Sequence, residues 1–391
     1  MPNVPYVKPL EHLTVIDMTV NVPGPFCSTV LGDLGATVIK IEPPGGDPLR
    51  HSPGMWTGIN RGKRSIVLDL KTNGGREILG RLAQDADIAI EGWRPGVAKR
   101  LRADYESLSS NNARLVYCAI SGFGQNGPWS QRPGHDVNYL ALSGYMGAQI
   151  AVEGRAWAPP ILVSDLVSGL YAAIATLAAA AGSTHSGQGA YIDLSMTDSA
   201  LSLLAPEIGN LSEDATGDIK PNVTFIPHYG VFPCKDGRWF SLGIVHEDHF
   251  WDRFCEAADI DSLVGLTFQE RLDRSEEIAT AVHAAFLTRT AADWEDTLQQ
   301  ADVPAAIVNE LHEIFASPQF QARGMFAELG LGKFFRQPFQ MSGQAIGPDS
   351  PTPALGEHND TILSELNYDR ADIEKLRASG ALGPVETEAA R

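Results

Sequence analysis

Over its first 200 residues the chain alternates short β-branched runs with helical stretches, and that rhythm restricts it to an α/β core. Leu13 to Met18, Thr37 to Ile41, Ser65 to Leu70, Asp87 to Glu91 and Leu115 to Ile120 read as strands. Runs so uniformly apolar belong to parallel strands covered by helices on both faces, joined by right-handed crossovers. Gly24-Pro25 starts a helix near Phe26, and a second helix covers about Gly75 to Ala83. A long helix from Asp165 to Ala181 precedes a sixth strand, Tyr191 to Ser195. The polar stretch Gly209 to Asn222 reads as a hinge or linker. Beyond it, Tyr229 to Phe232 and Trp239 to Leu242 flank Asp236-Gly237, a hairpin signal, and helical patterns continue to about Gln321. The expected organisation is a large domain over residues 1–224, a smaller α+β domain over 225–325, and a segment 326–391 that returns to the large domain.

Composition narrows the partners. A net charge of −18 argues against nucleic acid or an anionic membrane, since both need a basic face. No apolar run reaches the ~20 residues of a membrane span; the longest, Leu170 to Gly182, reads as a core helix. The first residues, Met1-Pro2-Asn3-Val4-Pro5, lack the layout of a signal peptide, and the four scattered cysteines form no CxxC pair. A cytoplasmic protein with reduced thiols and no metal is the expectation. Against the acidic whole, Lys40 to Arg102 holds twelve Lys or Arg and seven Asp or Glu, a local excess of five positive charges. Such a stretch suits a small polyanion; a solvated surface patch is equally compatible.

Several residues could carry chemistry. Ser121-Gly122-Phe123-Gly124-Gln125 follows a strand, where glycines let a ligand approach the backbone, although no GxGxxG is present. His135 lies in a loop, open either to catalysis or to a plain polar role. Asp165 stands between Ile161-Leu162-Val163 and a helix, so it, or Ser164, could simply cap that helix. Glu247 sits in Val245-His246-Glu247-Asp248-His249; adjacent residues do not share a helix face, and HExxH spacing is absent, which argues against metal.

Together these pieces resemble the family III CoA-transferases and their α-methylacyl-CoA racemase relatives, the CaiB/BaiF group. The resemblance is carried by Pro23-Gly24-Pro25-Phe26-Cys27, Val38-Ile39-Lys40-Ile41-Glu42-Pro43-Pro44-Gly45, Asn60-Arg61-Gly62-Lys63-Arg64-Ser65 and Glu91-Gly92-Trp93-Arg94-Pro95-Gly96. It continues through Gly134-His135-Asp136-Val137-Asn138-Tyr139, Ser186-Gly187-Gln188-Gly189 and Gly356-Glu357-His358. The likeness implies a Rossmann-like large domain with a parallel sheet, plus the smaller domain, in an interlocked homodimer. It also implies coenzyme A, bound as substrate thioester along Lys40, Leu68, Lys71, Trp93 and Arg100. A family arginine that serves a CoA phosphate falls at Pro43, which shifts that contact to Lys40 or Arg64.

Asp165 matches the family's catalytic aspartate. In transferases that carboxylate, ionised at neutral pH, attacks the thioester to form a mixed anhydride, and CoA passes from an acyl-CoA to a carboxylic acid. In racemases it is one of two bases about the α-carbon, and His135 matches the second, supported by an acid matched by Glu247. His135 and Glu247 favour racemisation. The run Asp165-Leu166-Val167-Ser168, without the racemases' glycines, favours transfer, although the transferases' glycine loop is replaced by Gly243-Ile244-Val245-His246-Glu247. CoA transfer is the leading expectation, α-methylacyl-CoA racemisation the second, and a non-catalytic CoA-binding protein the third. Trp251 and Phe225 are candidates for the acyl pocket or for core.

Overall fold

The computed structural model describes residues 7–208, 226–329 and 332–385. The Gly209 to Asn222 linker and Phe225 lie outside the described residues. Six strands form one sheet: β1 (Thr14–Asp17), β2 (Thr37–Glu42), β3 (Arg64–Val67), β4 (Ile88–Glu91), β5 (Val116–Ser121) and β6 (Ala190–Ser195). Their order is β3-β2-β1-β4-β5-β6, and every pairing is parallel. This is the doubly wound arrangement, whose order reverses between β1 and β4 and opens a crevice at the strands' carboxyl ends.

The pleat explains why the strands read as continuous apolar runs. Alternate residues go to opposite faces, and both faces are covered. Ile16, Ile39, Ile41, Ala89 and Tyr117 pack on one side with Ile78, Leu79 and Leu82 of helix Asn73–Asp85. Val15, Val38, Ile88, Ile90 and Cys118 pack on the other with Cys27 and Leu31 of helix Pro23–Asp33 and Ala172 and Ala173 of helix Val163–Ser186. The latter helix has 24 residues, longer than the apolar run within it, and by length and composition alone could cross a membrane. One of its faces instead packs small and hydroxyl residues, Ser164, Ser168, Gly169 and Thr176, while Leu170, Tyr171 and Ile174 stay exposed. Gly169 is required there, because a Cβ would come within 2.7 Å of the Pro23 carbonyl oxygen.

The outer edge, β3, is closed by chain that arrives much later. His358 N–H donates to the Ser65 carbonyl (3.0 Å), the Val67 N–H donates to Asn359 Oδ1 (2.9 Å), and the Gly383 N–H donates to the Val67 carbonyl (3.0 Å).

The described residues divide into two compact units, Met1–Met146 with Ala158–Ala205 and Pro318–Arg391, and Gly147–Trp157 with Pro206–Ser317. The second unit takes in Gly147–Trp157, a stretch that sequence patterning leaves with the first. It contains an antiparallel sheet of β7 (Tyr229–Pro233), β8 (Trp239–Gly243) and β9 (Ala305–Ile307). Phe240, Trp251, Phe254, Phe286 and Trp294 fill its core. Trp251 is fully buried, and its indole N–H donates to the Leu263 carbonyl (2.8 Å), so it is a core residue rather than a pocket wall.

Candidate active site

A cavity of about 490 Å³ opens in the first unit at the switch point of the sheet. It is lined by residues just past β1 (Thr19, Val20), β4 (Gly92, Trp93) and β5 (Gly122), and by His135 and Asp165. His135 and Asp165, 30 positions apart in sequence, thus face one space. His135 precedes helix Asp136–Leu142, and its N–H donates to Asn138 Oδ1 (3.0 Å). Tyr139, on that helix, donates to the Gly134 carbonyl (2.6 Å); Gly122 makes room for it, since a Cβ there would lie 2.6 Å from the ring.

Asp165 is not a helix cap. It is the third residue of the Val163–Ser186 helix, and the Asp136 carboxylate does the capping. Asp136 Oδ1 accepts from the N–H groups of Ser164 (2.7 Å) and Asp165 (3.1 Å), while Ser164 Oγ donates elsewhere, to the Met196 carbonyl (3.2 Å). The Asp165 carboxylate accepts no hydrogen bond from a described residue. Burial pushes its carboxyl up from 3.8 to about 7, with the Asp136 charge adding to the shift. Its titration thus moves toward the neutral range, above that of an exposed carboxylate.

The sheet's carboxyl end holds a second acid in the opposite state. Asp17 ends β1, fully buried, and burial alone would raise its pKa. Lys40 and Lys63 more than reverse this, with help from Thr19 and Ser28, and hold it well below the usual carboxylate range. Lys63 Nζ lies 3.1 Å from Asp17 Oδ2, and Ser28 Oγ donates to the same oxygen at 2.7 Å.

A second cavity, about 470 Å³, runs beside β1, β2 and β3 and is lined by Ile41, Pro44, Leu68, Lys71 and Trp93. Trp93 and Val20 border both cavities. An apolar wall, a lysine and an indole fit a nucleotide-bearing thioester. Leu68, Lys71 and Trp93 are therefore brought together. Arg100 is exposed on helix Val97–Leu101 and lines neither cavity.

Lys40 must be corrected. Its ammonium is fully buried, 3.0 Å from Asp47 and donating to the Thr19 carbonyl (3.0 Å), so it is a structural cation unable to reach a phosphate. Arg64, the other substitute for the missing arginine, is held bidentately by Glu365 at 2.8 and 2.9 Å. Glu247 lies in the second unit, before helix Asp248–Ala257, where its carboxylate accepts the Val245 N–H (3.0 Å); that hydrogen bond draws its pKa down. Among the described residues no cluster of His, Cys, Asp and Glu could hold a metal ion.

Sequence reasoning missed Asp136, which sits 29 residues from the N–H it caps. It also missed Glu91, whose buried carboxyl is pushed up to about 7 by burial while accepting the Trp93 N–H (2.6 Å). Neither has a local signal beyond being an acid next to a loop.

A carboxylate with no hydrogen-bond partner among the described residues thus faces the switch-point crevice of a parallel sheet, the place where open α/β folds bind their ligands. The chain belongs to CoA-transferase family III, whose pattern matches residues 10–359. It is 33% identical to a succinate–glutarate CoA-transferase of Agrobacterium fabrum, covering 92% of this chain and 96% of that protein. It is 30% identical to the α-methylacyl-CoA racemase of Homo sapiens, covering 94% and 96%. Its fold matches the crystal structure of a CaiB/BaiF family protein from Brucella suis with a TM-score of 0.83, at 29% identity over 92% of this chain and 99% of that one.

Proposed function

We propose that the protein transfers CoA from an acyl-CoA to a free carboxylic acid, with Asp165 as nucleophile. The observation that supports this most is the unpartnered Asp165 carboxylate in the cavity, its pKa raised to about 7, because basicity and freedom from hydrogen bonds both strengthen a nucleophile. The carboxylate adds to the thioester carbonyl, the C–S bond breaks, and an aspartyl anhydride and CoA thiolate result. The thiolate attacks the aspartyl carbonyl, releasing the donor acid and leaving an aspartyl-CoA thioester. The acceptor's carboxylate displaces the thiolate, and the thiolate then takes the acceptor's acyl group, restoring Asp165. No net proton or redox change occurs.

CoA lies past Leu68 and Lys71 with its thioester end reaching Asp165 beside Trp93. The exposed Leu170, Tyr171 and Ile174 face supports a homodimer, because isolated apolar residues are ordinary but a helical stripe of them is a surface to cover. The Agrobacterium fabrum relative, by its name, carries out such a transfer.

The test is to incubate the enzyme with donor acyl-CoA, trap with hydroxylamine or borohydride, and weigh the Asp165 peptide. A mass change at that peptide is expected; an unmodified peptide during turnover rules the anhydride route out. One observation favours a second reading, α-epimerisation of a 2-methylacyl-CoA: His135 lines the same cavity as Asp165. Deuterium entering the α-carbon with no acceptor acid present would establish it.

A further inference from the structure

β3 is the outermost strand of the sheet, and the residues that follow it, 68–71, form one wall of the cavity that Trp93 also lines. The sheet supports that wall from one side, where the Leu68 N–H donates to the Glu42 carbonyl of β2 (2.9 Å). Chain from near the other end of the sequence holds the second side. The Asp69 N–H donates to the Ala381 carbonyl (3.0 Å), Leu68 faces Leu382 in an antiparallel bridge, and the Gly383 N–H donates to the Val67 carbonyl (3.0 Å). Buried Asn359 ties the two together: its Oδ1 accepts the Val67 N–H (2.9 Å) and its Nδ2 donates to the Gly383 carbonyl (3.3 Å).

Two glycines seat this late segment, and neither has a left-handed backbone to explain it. A Cβ at Gly74, in the first turn of helix Asn73–Asp85, would come 2.8 Å from the Ala381 Cβ. A Cβ at Gly383 would collide with Val67 Cγ1 and lie 3.5 Å from the Pro44 Cα. Pro44 lines the same cavity from the turn after β2. Gly383 is therefore wedged between the residue that leads into the 68–71 wall and Pro44, while residues 381–383 line neither cavity. A close-packed interior passes on the displacement of an added methyl instead of absorbing it.

Resting on the proposed course of CoA past Leu68 and Lys71, we infer that residues 381–383 are a positioning strap for the CoA cavity. They hold the Leu68 wall at a fixed separation from Pro44 and so set CoA affinity without touching the ligand. By reciprocity, CoA bound in that cavity tightens the strap.

The experiment measures CoA binding by calorimetry, and acyl-CoA turnover as separate KM and kcat, for the wild type, Gly383→Ala, Val67→Ala, their double variant and Lys71→Ala. Gly383→Ala is expected to weaken CoA binding and raise KM about 10-fold, with kcat at saturation within about 2-fold of the wild type. Val67→Ala removes the methyl that the new Cβ meets, so the double variant should recover most of the affinity. Loss of folded protein alone would lower kcat and leave KM unmoved. Unchanged CoA affinity in Gly383→Ala, or a loss that the double variant keeps, overturns the inference. Should Gly383→Ala not fold, amide exchange in the wild type decides. The Asp69 and Gly383 N–H groups are expected to exchange about 10-fold more slowly with saturating CoA, and equal rates with and without it overturn the strap. If Lys71→Ala alone weakens CoA binding, only the strap fails. If neither Lys71→Ala nor Gly383→Ala alters it, or the wild type binds no CoA, the proposed course of CoA fails with it.

Discussion

Asp17 and Asp165 occupy the same end of the same sheet and are tuned in opposite directions. Asp17 meets two ammonium groups and two hydroxyls, and its proton is gone at any working pH. Asp165 has burial and a like-charged neighbour, and no hydrogen-bond partner among the described residues. A buried carboxylate with every lone pair answered is a fastener. One left unanswered costs stability and has free lone pairs with which to do chemistry.

The largest expected effect breaks this comparison outright. Asp165→Asn should lower turnover by about 10³-fold or more while the protein stays folded. Asp17→Ala strands Lys63 and Lys40 beside a missing charge and should cost about 3–5 kcal/mol of stability, read by denaturant titration. Loss of activity without loss of stability in Asp17→Ala would contradict its structural assignment.

Next in size is the pH dependence. The ionised Asp165 is the reactive form, so kcat/KM should rise with pH around a midpoint near 7 and stand at about a tenth of its plateau at pH 6. Stability moves the other way. Between 3.8 and about 7 the unfolded chain has released this proton and the folded one has kept it, so raising pH disfavours the folded state. Asp165→Asn removes that penalty. Its melting temperature should exceed the wild type's at pH 8, with the gap closing as pH falls toward 4.

Smaller effects sharpen the contrast. Asp136→Ala removes the acceptor of two N–H groups and a negative neighbour of Asp165. It should cost about 1 kcal/mol and move the pH midpoint of kcat/KM downward. Trp93→Ala should weaken CoA binding about 10-fold by calorimetry, with the least effect on the pH profile.

The sheet was legible because its strands are buried on both faces, and the long Asp165 helix because it is a sustained helical stretch. The charge state of Asp165 was not, since it depends first on burial and then on Asp136, which starts a different helix. Lys40 misled for a related reason. A lysine in a basic stretch reads as surface, and only the fold shows Asp47 and Asp17 closing around it. Glu247 has an adequate local role in holding the Val245 N–H, which no pattern distinguishes from a catalytic one. The Gly356-Glu357-His358 block marked the family without explaining itself; beside Ser65 its purpose is to finish an edge.

That edge has a consequence for biosynthesis. The Val67 N–H that Asn359 accepts from must wait for a residue made 292 positions later. As the polypeptide leaves the ribosome, the nascent sheet carries a raw strand margin through most of translation, open to pairing with neighbouring chains. Yield in the cell should therefore be governed by how quickly that late segment docks, and slow synthesis or chaperone shortage should be felt there first.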